Sequence, residues 1–220
     1  MRIGILGTGI VGETLGTALV KKGHQVKMGS RSAINDVAAS WVAMNGENAS
    51  QGTFADAARF GDIVMLCLNG DKAKDALQMA GPDGFAGKIV IDITNPLDFS
   101  RGMPPVLVPS LSNITSLGEQ IQAYLPDAKV VKALNTVTAK LMVDASLVNG
   151  GDSTLPICGN DADAKEQVKR FLTEQFGWRN ENILDLGDIT ASRNTEAYVP
   201  LWVRFWQAAG TPMFNIKIVQ

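Results

Sequence analysis

Apolar runs of strand length alternate with amphipathic stretches through the first part of the chain. Some runs are continuously apolar, which is typical of strands that are covered on both faces of a parallel sheet. The predicted strands are residues 2–7, 24–29, 62–68, 88–94 and 129–135. Apolar residues at helical spacing predict helices over residues 11–23 and 32–46. Because strands that alternate with helices form parallel βαβ units, the predicted fold class is α/β, with a doubly wound parallel sheet.

The alternation resumes after Gly150 in a shorter C-terminal part. A strand, a helix, a strand and a helix are predicted there, at residues 154–159, 161–177, 182–187 and 195–210. We therefore expect a large unit over residues 1–150 and a small C-terminal α/β extension over residues 151–220. The alternative that the second part extends the same sheet stays open.

Residues 95–113 interrupt the alternation of strands and helices in the first part of the chain, because they are rich in proline and have little periodicity. They are predicted to form a long ordered loop, and loops of this length in compact domains are often functional. Ser116 and Glu119 have the spacing of a capping box and predict that a helix begins there.

Composition narrows the range of partners and compartments. With 20 Lys and Arg against 22 Asp and Glu, the formal net charge is −2, and long runs of one sign are absent. This balance argues against nucleic acid or an anionic membrane as the main partner. The apolar runs are too short to span a bilayer, and the N-terminal segment lacks the long apolar run of a signal peptide. A cytoplasmic protein is therefore predicted. Two buried free thiols, Cys67 and Cys158, are favoured over a disulfide.

A glycine-rich turn, Gly7-Thr-Gly-Ile-Val-Gly12, follows the first predicted strand and opens the first predicted helix. In this context Gly7 allows a tight turn, Gly9 lets the backbone approach a pyrophosphate, and Gly12 lets helix and strand pack closely. The free N–H groups at the start of the helix favour an anion. The motif predicts a dinucleotide-binding domain of the Rossmann type over residues 1–150.

The second predicted strand ends in Gly29-Ser30-Arg31, where a site for NAD normally has a carboxylate. Gly29 removes the charge that would repel a 2′-phosphate and makes room for it. Ser30 can donate a hydroxyl hydrogen bond to the phosphate, and Arg31 can form a bidentate, charge-assisted pair with it. The predicted cofactor is therefore NADP(H).

Three predicted strands are followed by an asparagine: Asn69, Asn95 and Asn135. In open α/β sheets, ligands lie beyond the carboxyl ends of the strands, so these amides are candidates for holding the nicotinamide end or a substrate. Asparagine also favours turns for local reasons, and that alternative stays open for each of them.

Several common catalytic arrangements do not fit this sequence. The single histidine, His24, is placed between the first helix and the second strand, which argues against a serine–histidine–acid hydrolase. No Cys/His cluster has zinc spacing, so no metal site is predicted. Lys132 and Lys140 flank the strand end at Asn135 and are candidate acids for carbonyl reduction, although surface or packing roles are favoured.

Three aromatic residues in the last predicted helix fall at helical spacing: Trp202, Phe205 and Trp206. Such a stripe usually packs in a core. Its alternative role is to form a wall of a pocket for a flat ring.

The sequence resembles the NADPH-dependent reductases of coenzyme F-420, a deazaflavin, and also the oxidoreductase domain of the six-transmembrane metalloreductases. The likeness runs over nearly the whole chain. It is carried by the motifs GILGTGIVG, GSR, ITNPLDFSRGMPP, VVKALNTV, LPICGNDADAK and NIKIV. It implies direct hydride transfer between NADPH and a deazaflavin or flavin, with coenzyme F-420, FMN or FAD as the co-substrate, and a homodimer built through the C-terminal part.

The resemblance also implies roles for individual residues. It places Thr8 to Val11 at the pyrophosphate, Ser30 and Arg31 at the 2′-phosphate, and Leu68, Asn69, Asn95, Pro96 and Ala139 around the nicotinamide end. With the residues taken from the glycine motif and the strand ends, the predicted cofactor contacts are Gly7, Thr8, Gly9, Ile10, Val11, Gly12, Ser30, Arg31, Asn35, Leu68, Asn69, Asn95, Pro96, Asn135 and Ala139. Phe214 lies where the family's C-terminal tail touches the deazaflavin, and Trp206 is the second predicted substrate contact. The chain has Asn35 where some members have a lysine, and Asn135 where archaeal members have a histidine.

No catalytic side chain is predicted, because hydride transfer between two redox rings mainly requires orientation and desolvation. Two other functions stay open. One is an NADP-dependent dehydrogenase for a small carbonyl or imine that uses Lys132, Lys140 or Asn135. The other is a non-catalytic NADP(H)-sensing module.

Overall fold

The structure is a computed structural model that describes residues 1–219, and one eight-stranded sheet lies at the centre of this part of the chain. The strands are β1 (Arg2–Leu6), β2 (Gln25–Ser30), β3 (Ala49–Thr53), β4 (Ile63–Leu66), β5 (Ile89–Asp92), β6 (Leu97–Asp98), β7 (Val106–Leu107), β8 (Lys129–Lys132), β9 (Leu155–Gly159) and β10 (Ile183–Asp185). The helices are α1 (Ile10–Lys21), α2 (Asp36–Asn45), α3 (Phe54–Phe60), α4 (Gly70–Ala80), α5 (Leu117–Tyr124), α6 (Ala139–Val143), α7 (Ala162–Phe176) and α8 (Ser192–Ala209).

The strand order is β3-β2-β1-β4-β5-β8-β9-β10, while β6 and β7 form a separate antiparallel hairpin. Neighbouring strands of the large sheet run parallel except at β8 and β9, which run antiparallel. The predicted α/β class with a doubly wound sheet is confirmed. β9 and β10 extend the same sheet, and the division into functional parts at residue 150 stays a prediction.

Helices cover both faces of the sheet, and alternate strand residues supply the two cores. Ile3 and Ile5 of β1 lie in a core with residues of α1, α2, α6 and α7. Leu6 lies in the opposite core with residues of α3, α4 and α5. α3 packs directly on β1, since a Cβ added at Gly4 would lie 2.1 Å from the carbonyl oxygen of Ala57.

Besides the strands of the β6–β7 hairpin, four elements have no counterpart among the predicted ones: β3, α3, α4 and α6. β3 is an edge strand of the sequence ASQGT, which pairs only with β2 and therefore needs few apolar residues. α3 begins with a capping box, in which Thr53 accepts from the N–H of Asp56 and Asp56 accepts from the N–H of Thr53. Residues 95–113 are largely irregular, as predicted, apart from the short β6–β7 hairpin and a 3₁₀ turn over Pro109–Leu111.

The predicted cap at Ser116 is confirmed in one half. The Ser116 hydroxyl oxygen accepts from the N–H of Glu119 at 3.1 Å, and α5 begins at the next residue. Its hydroxyl in turn donates to the Glu119 carboxylate at 2.7 Å. That carboxylate also accepts from Arg193 Nε at 2.8 Å, so it connects α5 to α8 instead of closing a standard capping box.

Cys67 and Cys158 are both buried and free, as predicted. Burial raises the pKa of Cys158 to about 12 and raises that of Cys67 as well, so neither thiol is activated. Within residues 1–219, no helix combines the length and the apolar character needed to cross a membrane.

Candidate functional site

Two adjoining clefts lie at the carboxyl ends of the parallel strands. The first, here called the β2 cleft, has a volume of about 440 Å³ and is lined by residues that follow β1, β2 and β4, with part of α4. The second, the β5 cleft, has a volume of about 600 Å³ and is lined by residues that follow β4, β5 and β8, with parts of the β6–β7 hairpin and α8. Leu68 and Asn69 line both clefts, so the two meet at the end of β4. This is the edge where α/β sheets bind ligands.

The three glycines of the first turn have distinct reasons to be glycine. Gly7 has a φ of 125°, and an added Cβ would lie 2.2 Å from the carbonyl oxygen of Cys67. A Cβ at Gly12 would lie 2.4 Å from the carbonyl oxygen of Gly7, so this glycine allows α1 to approach β1. A Cβ at Gly9 would meet nothing within 4 Å, and Gly9 itself lines the β2 cleft. Gly7 and Gly12 therefore serve the fold, while Gly9 keeps the cleft open.

α1 begins directly after Gly9, which makes no side-chain cap. The first N–H groups of the helix are thus left for an anion at the mouth of the β2 cleft. Thr8 lines this cleft, and Val11 lines the β5 cleft. Ile10 is 77% exposed and lines neither cleft, so only its backbone is placed for the predicted contact.

The end of β2 carries the predicted phosphate contacts. Arg31 is exposed and lines the β2 cleft, and within residues 1–219 no hydrogen bond or ion pair holds its guanidinium. The Ser30 hydroxyl donates to the carbonyl oxygen of Ser32 at 2.7 Å, a bond that it must exchange in order to donate to a phosphate. Asn35, where some relatives have a lysine, caps α2 by accepting from the N–H of Ala38 at 3.0 Å.

The interpretation of Gly29 needs a correction. A Cβ at this position would lie 2.8 Å from the Cβ of Ala57 and 3.1 Å from the carbonyl oxygen of Thr53. The room that Gly29 leaves is therefore filled by the start of α3 and not by a phosphate. Because no carboxylate stands here, the end of β2 is still less negative than the corresponding position of a site for NAD.

Lys72 is a cleft residue that the sequence analysis missed. It lies on α4 and lines the β2 cleft together with Asp75 and Met79, on the wall that α4 contributes. Its ammonium group is 3.1 Å from the carboxylate of Asp71. α4 was not predicted, and without that helix the sequence gives no reason to place Lys72 near Arg31.

A pair of amides forms the floor of the β5 cleft. Asn95 Nδ2 donates to the carbonyl oxygen of Asn135 at 2.8 Å, and Asn135 Nδ2 donates to Asn95 Oδ1 at 2.9 Å. These bonds fix both amide orientations and leave Asn135 Oδ1 buried without a partner among the described residues. Thr136 Oγ1 and Trp202 Nε1, also from lining residues, are unpaired in the same way. Unpaired buried polar atoms are rare, and they fit a ligand that offers both donors and acceptors.

Ala139 and Pro96 differ in their placement. Ala139 is the first residue of α6 and lines the β5 cleft, and Thr138 before it makes no side-chain cap, so N–H groups of α6 remain free there. Pro96 is buried and lines neither cleft. Its carbonyl oxygen accepts from the N–H of Val108 at 2.8 Å and closes the base of the hairpin.

The outer walls of the β5 cleft come from the hairpin and from α8. The hairpin contributes Asp98, Phe99 and Ser100, and α8 contributes Val199 and Trp202. The sequence analysis placed functional residues somewhere in the segment 95–113, and the hairpin shows which of them face the cleft.

The predicted substrate contacts Phe214 and Trp206 do not line the cleft. Phe214 stacks on Trp202 with ring centroids 5.3 Å apart and planes inclined by 23°, and Trp206 lies 5.8 Å from the same ring. Trp202 therefore forms the wall, and the two predicted residues support it from behind.

Lys132 lies in a buried network, defined here as Asp92, Thr94, Lys132 and Glu196. Its ammonium donates to Asp92 Oδ2 at 2.9 Å and to the carbonyl oxygen of Thr94 at 2.6 Å, and it lies 2.7 Å from Glu196 Oε1. Burial opposes its charge, yet the two carboxylates hold the pKa of Lys132 above its usual value. Its side chain is 0% exposed, so Lys132 cannot donate a proton to a substrate. Lys140 is exposed and outside the cleft lining.

The same network anchors α8. The carboxylate of Glu196 accepts from the N–H groups of Leu117 and Gly118 at 2.9 and 3.0 Å, at the start of α5. Burial raises the pKa of Glu196, while Lys132 opposes this shift. The network thus ties β5, β8, α5 and α8 together behind the β5 cleft, and it fixes the helix that carries Trp202.

His24 lies away from both clefts. Its Nε2 is 2.9 Å from Gln175 Oε1, and it precedes β2 at the opposite edge of the sheet. Within residues 1–219, no group of three or more His, Cys, Asp or Glu side chains has the arrangement of a metal site.

Comparisons with known proteins identify the family of this chain. Residues 2–96 match the family model described as NADP oxidoreductase, coenzyme F420-dependent. A protein from Arthrobacter sp. FB24, provisionally named an F420-dependent NADP reductase, is 44% identical over the full length of both chains, and the two structures superpose with a TM-score of 0.92.

Two more distant proteins extend the comparison. The metalloreductase STEAP3 of Rattus norvegicus is 27% identical over 201 residues, which is 91% of this chain and 36% of the relative. This chain thus spans about a third of that curated relative. A reductive aminase from Aspergillus terreus, solved with NADPH, is 18% identical over 95% of this chain and 62% of its own, with a TM-score of 0.66. That likeness concerns the fold alone.

Proposed function

The chain belongs to the family of coenzyme F420-dependent NADP oxidoreductases, and from this premise we propose that it transfers hydride between NADPH and a deazaflavin or flavin ring. The observation that supports the proposal is the junction of the two clefts at Leu68 and Asn69. One cleft has the features of a phosphate and adenosine site, and the other has paired amides and an aromatic wall. A nicotinamide that extends from the first cleft reaches the second at this junction.

The β2 cleft fits the adenosine and phosphate groups of NADPH. We propose that the free N–H groups after Gly9 bind the pyrophosphate and that Arg31, with Ser30, binds the 2′-phosphate. Lys72 adds positive charge from the opposite wall. The open space above Gly9, which a Cβ would enter without meeting any atom, supports the approach of the pyrophosphate to the backbone.

The β5 cleft fits the nicotinamide end. We propose that the carboxamide group pairs with Asn135 and with the free N–H groups at Ala139. The unpaired Asn135 Oδ1 supports this, because a carboxamide N–H supplies the donor that it lacks. When bound, NADPH supplies a hydride from C4, two electrons with one proton, to N5 of a flavin or C5 of a deazaflavin, and solvent supplies the second proton.

The protein's own contribution is orientation and exclusion of water. We propose that the acceptor ring packs against Trp202, which lines the cleft and is itself stacked on Phe214. The Asn95–Asn135 pair holds the floor rigid. Lys132 is sealed in the buried network, and the described residues that line the β5 cleft include no lysine. This favours ring-to-ring hydride transfer over reduction of a small carbonyl, which needs a proton donor.

The test is NADPH oxidation, followed by loss of its absorbance, with riboflavin, FMN, FAD and coenzyme F-420 as separate acceptors. We expect turnover with at least one of them. Trp202→Ala should raise the KM of the acceptor while leaving the dissociation constant of NADPH unchanged, and the matched control Phe205→Ala removes an aromatic ring of α8 outside the cleft lining. Tight NADPH binding without turnover on any acceptor would instead identify a binding module.

A further inference from the structure

The buried network of Asp92, Thr94, Lys132 and Glu196 holds two anions and one cation. All three hydrogens of the Lys132 ammonium are used, since it donates to both carboxylates and to a backbone carbonyl oxygen. The carboxylate of Glu196 accepts from Lys132 and from two N–H groups at the start of α5. A neutral Glu196 would have to donate a proton, which none of these three donors can accept. Asp92 is ionised beside the ammonium, 2.9 Å from Nζ, so the network has one surplus negative charge.

This charge lies close to the proposed nicotinamide site, because the elements that carry the network also line the β5 cleft. Ile93, which lines the cleft, stands between Asp92 and Thr94 in the chain. On α8, Val199 lines the cleft and follows Glu196 by three residues, which is about one helical turn. The amide floor begins three residues after Asp92, and three residues of extended chain span about 10 Å. The carboxylates therefore lie at roughly this distance behind a ring that rests on the floor.

The groups next to the network leave this charge in place. The neighbouring Glu119–Arg193 ion pair between α5 and α8 adds no net charge. The thiol of Cys158 stays protonated, since burial raises its pKa to about 12. The N-terminus of α5 places a partial positive charge at Glu196, which reduces the negative charge without cancelling it. Because the side chains of Lys132 and its two carboxylate partners are at most 1% exposed, dissolved salt screens them little.

We infer that this buried negative charge stabilises the cationic nicotinamide ring of NADP⁺ relative to the neutral ring of NADPH, and so makes the bound cofactor a stronger hydride donor. Hydride loss breaks the C4–H bond of the reduced ring, passes two electrons and one proton to the acceptor ring, and leaves the donor ring with a positive charge. A fixed anion behind the donor ring favours the charge that develops there. The inference rests on the proposed function, because that function places the nicotinamide in the β5 cleft.

Coulomb's law gives the size of the effect. Opposite unit charges about 10 Å apart, at an effective dielectric constant of about 20, change a binding constant by roughly 10- to 20-fold. The positive end of α5 reduces this, so removal of one carboxylate charge should change the ratio of the two dissociation constants by about three- to tenfold. A tenfold change corresponds to about 30 mV in the midpoint potential of the bound two-electron couple. The potential should rise, because NADP⁺ loses more affinity than NADPH.

The experiment measures the dissociation constants of NADP⁺ and NADPH by calorimetric titration, without an electron acceptor, for the wild type and Glu196→Gln. Glutamine matches the size of the native side chain, keeps an oxygen for the Lys132 ammonium and brings the net charge of the network to zero. We expect NADP⁺ to lose about three- to tenfold more affinity than NADPH. A purely structural role of Glu196 would weaken both dinucleotides equally and leave the ratio unchanged.

The matched control is Glu119→Gln, which breaks the other carboxylate contact between α5 and α8 at a partly exposed position. Its ratio should stay within about twofold of the wild-type value, because solvent screens a charge at that position. Asp92→Asn removes the second carboxylate of the network and should shift the ratio in the same direction as Glu196→Gln. It carries the test if Glu196→Gln does not fold. The wild type adds a further measurement, since its ratio should change by less than about twofold between about 0.05 and 0.5 M salt.

A ratio that neither network variant moves, a shift in the opposite direction, or a wild-type ratio that changes strongly with salt would each overturn the inference. NADPH oxidation by flavin and deazaflavin acceptors is measured separately on the same preparations. If turnover occurs and the ratio does not shift, the proposed function stands and the inference is wrong. If the ratio shifts and no acceptor oxidises NADPH, the inference stands and the proposed function is wrong. If neither dinucleotide binds, both are wrong.

Discussion

The choice between NADPH and NADH is the most direct test of the β2 cleft, and Arg31→Ala is the perturbation. The guanidinium is exposed and makes no hydrogen bond or ion pair with any residue from 1 to 219, so its removal breaks no polar contact in that part of the fold. A hydrogen bond between charged groups contributes about 1.5–3 kcal/mol, and the exposed position of Arg31 places it toward the lower half of this range. Since about 1.4 kcal/mol corresponds to a tenfold change, NADPH affinity should fall by about 10- to 50-fold.

NADH lacks the 2′-phosphate, so its affinity should fall by no more than about threefold, through lost stacking of Arg31 on adenine. The assay is calorimetric titration of both dinucleotides at the same ionic strength. Arg170→Ala, on the exposed face of α7, removes the same charge away from both clefts and serves as the control. Equal affinities of the wild type for the two dinucleotides, or an equal loss of both in Arg31→Ala, would refute the reasoning.

Three further predictions concern the fold around the site. Lys132→Met leaves two buried carboxylates without their cation, so it should lower the free energy of unfolding by about 3–5 kcal/mol. In thermal unfolding Tm should then fall by about 6–20 °C, and a fall of less than about 3 °C would contradict this. Gly9→Ala should weaken NADPH binding at least about tenfold with an unchanged Tm, whereas Gly12→Ala, whose Cβ would lie 2.4 Å from a carbonyl oxygen, should lower Tm. Arg193 holds the pKa of Glu119 below its ordinary value of 4.5. The stability that this carboxylate contributes is therefore present above pH 4.5, and it is lost as the pH falls through the lowered folded-state pKa. The difference in unfolding free energy between wild type and Glu119→Gln should therefore shrink from pH 7 to pH 3.5, and a constant difference would disprove it.

Local sequence signals were sufficient for the parts of the fold that depend on short-range patterns. The glycine turn, the buried strands and the cap at Ser116 were predicted because backbone geometry and alternation are recorded in neighbouring residues. β3 and α3 were missed, because an edge strand needs few apolar residues and a helix as short as Phe54–Phe60 has little periodicity. Pairing with β2 and packing on β1 decide both elements, and a linear pattern does not contain those contacts.

The candidate site was predicted in part for the same reason. Residues that directly follow a strand, such as Arg31 and Asn135, were placed correctly at the carboxyl edge. Trp202 was weighed only as one member of an aromatic stripe, because the face that a helix turns toward a cleft depends on its docking. That docking is set by Glu196, whose partners Lys132, Leu117 and Gly118 are 64 to 79 residues away in the chain. The binding roles of these residues remain proposals.

The homodimer implied by the family resemblance also stays a prediction. Leu201, Phe205 and Trp206 of α8, with Ile216 and Ile218 of the tail, leave an apolar surface exposed in the single chain. Surfaces of this kind often mark interfaces between proteins. Sedimentation or light scattering of the purified protein measures the assembly directly.

The reversal of chain direction between β8 and β9 has an evolutionary consequence. The strands that follow it point their carboxyl ends away from the site, and among residues 1–219 the part of the chain after β9 lines the β5 cleft through α8 alone. Under the roles proposed for the two clefts, substitutions in the hairpin and in α8 would change which electron acceptor is used, while the turn after β1 and the end of β2 would keep the same dinucleotide. Relatives could then diverge in their oxidant and still share one source of reducing equivalents.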